Sequence, residues 1–183
     1  MAGRKRANSG GGGTSLRQPD LYWKQLQQLK AACVCSRLYR NQLGWRVRIV
    51  EIVKAVGSSG GVAGWLVFKE YPFLWTGIIA ASQLLDALKH VFPFAKTHKA
   101  ASDLTVALEV IYIDAEEEWE GIFAGKVADD AIVKRRTRLR KLQLAEERRH
   151  FPEGVEFPPK LIALANDEAE AYFRLTYSEE SAP

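Results

Sequence analysis

Chemically versatile residues are scarce in this chain: among 183 residues there are two cysteines, three histidines and one methionine. Cys33 and Cys35 stand two apart on a predicted helix, so their side chains diverge by about 200° and suit neither a mutual disulfide nor a shared metal. They read as small core residues. His90, His98 and His150 have no Cys, Asp or Glu neighbours at a spacing that makes a convincing ligand pair, which argues against a metal site. A cleavable signal is missing too. The first 18 residues, MAGRKRANSGGGGTSLRQ, are basic and glycine-rich without an apolar core, and read as a disordered tail.

Catalytic constellations are equally absent. The acidic EEEWE cluster (Glu116 to Glu120) has no nucleophile or histidine converging on it, and adjacent helical residues point in different directions, so it reads as a solvated or salt-bridged face. Gly57-Ser58-Ser59-Gly60-Gly61 looks like a phosphate loop but lacks the P-loop lysine, a preceding strand and the dinucleotide spacing. The run KRRTRLRK (Lys134 to Lys141) is basic, yet no helix-turn-helix, zinc finger or aromatic-interleaved surface accompanies it. The expectation is therefore a non-enzyme without cofactor, metal or nucleic-acid partner.

What is present is helical pattern. Ile49 to Phe68 and Pro72 to Phe92 are apolar arms of 20 and 21 residues joined by Lys69-Glu70-Tyr71-Pro72, and each is long enough for a bilayer core of ~30 Å. Glu51 and Lys54 interrupt the first arm, and Asp86 and Lys89 the second, leaving uncharged runs of 14 residues in each. All four charges lie at the ends remote from the turn, where they can pair across the hairpin or reach toward headgroups. Trp65, Phe68, Tyr71, Phe73 and Trp75 gather at the turn, and Trp45, Phe92 and Phe94 at the open end, in the manner of two aromatic belts. Gly57 with Gly61, and Gly60 with Gly64, form small-xxx-small pairs suited to close helix packing in lipid; a helix break there is the competing reading.

Arg37, Arg40, Arg46 and Arg48 before the first arm, and Lys89, Lys96 and Lys99 at the end of the second, place both termini in the cytoplasm by the positive-inside rule.

The remaining helices are amphipathic. Tyr22, Leu26, Leu29 and Cys33 recur at 4-3-4, and Leu104, Leu108, Ile111, Ala115, Trp119 and Ile122 at 4-3-4-4-3. Ile132, Leu139, Leu142 and Ala145 mark a third helix. Ile162, Ala165, Ala169 and Phe173 mark a fourth, beyond the proline-rich FPEGVEFPPK. Ala101 to Gly125 carries seven acidic residues and no basic one, whereas Lys134 to Arg149 carries eight basic and two acidic. Such opposite fields favour an antiparallel pair within or between subunits.

The expected fold is thus all-α: a two-helix transmembrane hairpin (spans about 49–68 and 72–92) on long helices (about 20–48, 98–124, 128–150 and 160–177) that form a coiled-coil-like bundle. Residues 19–177 make one domain between the tail 1–18 and a short tail 178–183.

The SRLYRNQLGWRVRI segment (Ser36 to Ile49), the short-turn hairpin, the long acidic helix and the block FPPKLIALANDEAEAYF (Phe157 to Phe173) resemble the SLATT proteins, bacterial effectors with two transmembrane helices associated with SMODS and SLOG domains. The likeness runs from about Leu21 to Tyr177 and is one of architecture. It implies an inner-membrane effector of a conflict or anti-phage system that oligomerises to form a pore or disrupt the bilayer, triggered by a nucleotidyltransferase or sensor encoded nearby. The chain departs in having no recognisable nucleotidyltransferase or nucleotide-sensing domain. The alternative is a soluble or peripheral all-helical adaptor.

Overall fold

The structure, a computed structural model, describes residues 17–67 and 94–177, with Phe73, Thr76, Gly77, Ala80, Ala81, Gln83, Leu84 and Ala87 between them. Its described part is all-helical: α1 (Gln18–Val67), α2 (Phe94–Phe123), α3 (Asp129–His150) and α4 (Pro159–Tyr177). The predicted turn at Lys69 to Pro72, and Asp86 and Lys89 of the second arm, lie outside the described residues.

α1 starts where Pro19 presets a helical φ, and Asp20 Oδ2 accepts the Arg17 N–H at 3.1 Å. No proline follows before Pro72, so 50 residues continue without a stop, about 75 Å of helix at 1.5 Å per residue. Gly44 and the Gly57 to Gly64 stretch do not break it. Among the described residues no helix is long and apolar enough to cross a membrane. Within α1 the reason is local: Glu51, Lys54 and the Gly-Ser run dilute the apolar stretch.

α2 ends in a Schellman motif. Lys126 N–H donates to the Gly121 carbonyl (3.1 Å) and Gly125 N–H to that of Ile122 (3.0 Å), with Gly125 at φ +67°. A side chain at Gly125 would be strained there, so Gly125→Ala is expected to cost about 1 kcal/mol, read as a lowered midpoint in thermal unfolding. The five residues from Ala124 to Ala128 fold α3 back along α2, and Asp129 and Asp130 favour the positive end of the new helix. Pro158 and Pro159 set the start of α4, with the Leu161 N–H on the Pro158 carbonyl at 2.8 Å.

The four helices pack around Tyr22, Leu26, Leu29 and Cys33 of α1, Leu104, Leu108, Ile111 and Ala115 of α2, Ile132 and Leu139 of α3 and Phe173 of α4. A smaller cluster joins Val34 and Cys35 to Ala165. Both thiols are buried and free, on opposite sides of α1 as their spacing requires. A buried polar pair bridges α1 and α2: Thr105 gives its proton to the Ala101 carbonyl (2.7 Å), so the Ser36 hydroxyl donates to Thr105 Oγ1 at 2.9 Å.

Three predicted core residues turn out exposed: Leu142, Ala145 and Ile162. Ile132 and Leu139, two turns apart, already define the buried line of α3. Leu142 and Ala145 fall on flanks that no other described helix covers.

The acidic α2 and the basic α3 pack on one another as expected, but few of their charges meet. Only Arg138 and Glu118 meet between α2 and α3 among the described residues, at 3.9 Å. Helical phase explains it. Asp114 and Glu117 point outward from α2, while Arg136, Arg140 and Lys141 turn toward α1.

Candidate functional site

A cavity of about 320 Å³ opens between α1, α2 and α4, lined by Lys30, Cys33 and Arg37 on one side, Glu109, Tyr112 and Glu116 on another, and Tyr172. Lys30, Cys33 and Arg37 share one face because they lie three and four residues apart on a helix. Tyr112 and Glu116 do the same on α2.

At its centre one carboxylate oxygen gathers three phenols. Glu116 Oε1 accepts from Tyr112 (2.8 Å), Tyr172 (3.0 Å) and Tyr177 (2.8 Å). The Lys30 ammonium lies 3.6 Å from the Tyr172 ring centroid and 4.2 Å from that of Tyr112, a double cation–π contact. Helix α4 is therefore tied to α2 by charge-assisted hydrogen bonds in addition to apolar burial.

The ionisation of this cluster follows from its surroundings. Burial raises the Glu116 pKa, but the three phenols and the Lys30 charge outweigh it, and the carboxyl is held below its ordinary value. Burial and the hydrogen bonds to Glu116 push the Tyr112 and Tyr177 phenols well above theirs. Burial lowers Lys30 and drives the Cys33 thiol up to about 12. These shifts favour the carboxylate at Glu116, the neutral phenol at Tyr112 and Tyr177 and the un-ionised thiol at Cys33. Such a site is built for cohesion or for cradling a ligand.

Next to it Trp23 stacks an aromatic end-piece onto the bundle, with ring centroids 4.9 Å from Trp119 and 5.0 Å from both Phe173 and Tyr177. Tyr22 directs its hydroxyl at the Ala115 carbonyl (3.0 Å) and Glu118 Oε2 (3.1 Å). Two members of the EEEWE cluster are thus structural acceptors. Adjacent residues diverge as expected; Tyr112 meets Glu116 at the local i, i+4 spacing, but Tyr22, Tyr172 and Tyr177 come from distant chain positions and leave no local sequence signal.

The sequence-predicted site residues that the structure describes do not join this cluster. Gly57, Gly60, Gly61 and Gly64 lie within the helical run of α1, beyond the bundle. Glu51 is exposed and Lys54 half-buried on the same stretch, and Asp86 and Lys89 are among the residues not described. No group of three or more His, Cys, Asp and Glu side chains able to hold a metal occurs among the described residues.

No protein family, curated protein or solved structure matches the chain.

Proposed function

We propose that the chain is a membrane effector of a bacterial conflict system: a helical bundle on the cytoplasmic side carries a two-helix hairpin (about 49–68 and 72–92) into the inner membrane, where copies assemble to breach it. The observation that carries this reading is the neck of the bundle. A methyl group at Gly44 of α1 would stand 3.1 Å from His98 Nε2 of α2, so the two helices are side by side where the hairpin departs. Beyond that point α1 continues for 23 residues, and Trp45 and Ile52 are 64% and 61% exposed. Both ends of an arm pair leaving one pole of a bundle, with unburied apolar residues at its base, suit a helical hairpin seated in lipid.

Assembly has support in the outer faces. Val106, Val110 and Ile113 of α2 are all more than half exposed, spaced 4 and 3, and set among Glu109, Asp114 and Glu117. On α3, exposed Val133 and Leu142 stand among Lys134 and Arg138. An acidic apolar stripe on one copy complements a basic apolar stripe on the next, a head-to-tail contact that generates rings. The glycines Gly57, Gly60, Gly61 and Gly64 then supply close packing between spans.

The expressed protein is expected to stay in the membrane pellet after alkaline carbonate extraction. Release into the supernatant would favour the soluble adaptor. Topology has its own test. Because Cys33 and Cys35 are buried, a membrane-impermeant maleimide on intact cells reports an engineered Ser9→Cys with little background. No labelling until the cells are lysed is expected; labelling of intact cells overturns the cytoplasmic placement.

A further inference from the structure

The notch between α1 and α3 is distinct from the tyrosine-clamped cavity and carries one sign of charge. Lys24 of α1 and Arg136, Arg140 and Lys141 of α3 line a groove of about 730 Å³, a volume suited to a small ligand. Its single carboxylate, Glu147, already accepts from Gln143 Nε2 at 2.9 Å. Among the described residues none of the four cations forms an ion pair.

One atom points to a missing partner. Arg136 Nη1 donates to Gln18 Oε1 at 3.1 Å, but Arg136 Nε is buried without any acceptor. A buried guanidinium N–H left unpaired is unfavourable, and such groups in folded proteins are rare enough to call for a partner. Together with Lys24, Arg140 and Lys141, which form no ion pair among the described residues, Arg136 matches a ligand with several negative oxygens.

We infer that the α1/α3 groove binds a small soluble anion bearing two or more phosphates, with Arg136 and Arg140 as its main donors. A lipid headgroup carries the same chemistry, but Lys24 lies 20 residues before Gly44, about 30 Å along α1 from the neck and away from a bilayer seated there. Only the role of this anion as the trigger rests on the proposed membrane function. Binding is independent of it.

The test is calorimetric titration of the full chain in detergent with inorganic tripolyphosphate and with ATP. Saturable one-to-one binding is expected, weakened about tenfold or more by Arg140→Gln, whose exposed side chain leaves folding intact, and likewise by Arg136→Gln. Arg148→Gln removes the same charge from the same helix outside the groove and is expected to change affinity less than twofold. No saturable binding, or equal losses in Arg140→Gln and Arg148→Gln, overturns the site. A short-chain phosphatidylinositol bisphosphate, or a single-stranded RNA, that displaces ATP at a hundredth of the concentration tripolyphosphate needs would replace the soluble small anion with a headgroup or a nucleic acid. The readout does not involve membrane fractionation, so failure here leaves the hairpin reading standing, and the reverse also holds.

Discussion

On the proposed membrane reading, replacing residues 45–97 with a short Gly-Ser linker is expected to leave a four-helix bundle that stays wholly in the aqueous fraction. The physical basis is the approach of Gly44 to His98, which lets a few residues join α1 to α2 without moving either. The core named above lies between Tyr22 and Phe173 and, among the described residues, draws nothing from the excised stretch. The excised protein should unfold cooperatively, with helical circular dichroism retained, and should lose all toxicity on expression. An aggregated or unfolded product would mean that the bundle needs its hairpin. Unaltered fractionation would mean that the hairpin is not what holds the protein at the membrane.

Glu116→Ala is expected to destabilise the bundle by about 2–3 kcal/mol, a fall of roughly 5–10 °C in melting temperature for a chain of this size. Three phenols lose their shared acceptor, and Tyr112, which is 4% exposed, regains little hydration in exchange. Partial exposure of Glu116 keeps the figure below the sum of three charged hydrogen bonds. Glu116→Gln keeps an acceptor and should cost less.

The pH dependence carries the matching sign. Because the folded carboxyl is depressed, its contribution is present above the unfolded carboxylate pKa and is lost as pH falls through the lower folded value. Because Tyr112 and Tyr177 are raised, their contribution is full below the unfolded phenol pKa and is lost as pH climbs through the higher folded ones. Denaturant midpoints that decline at both extremes in the wild type, and less so in Glu116→Ala, would confirm the cluster as the source.

Helical periodicity carried most of the core. Tyr22, Leu26, Leu29, Cys33, Leu104, Leu108 and Ala115 recur on one face of their helices, and each is buried. The same rule misjudged Leu142 and Ile162, because period reports which residues share a face and not whether another helix covers that face. The charge blocks anticipated the packing of α2 on α3 but not how few of their charges meet. Composition counts the acidic and basic residues of α2 and α3, but helical phase sends most of them to different neighbours.

The tyrosine-clamped carboxylate was out of reach of any local reading. Glu116 stands among glutamates in EEEWE, and what distinguishes it is the arrival of Tyr172 and Tyr177 from 56 and 61 residues away. The basic groove is similar: Lys24 and Arg140 are more than a hundred positions apart in the chain. Short-range physics, in the spacing of apolar residues, the stop at Gly125 and the prolines before α4, was enough to dictate four helices and their inward faces. Which polar groups would meet depended on how those helices packed. A hydrogen bond or a shared charge acts over a few ångströms in space, and the chain order of distant residues holds no record of that distance.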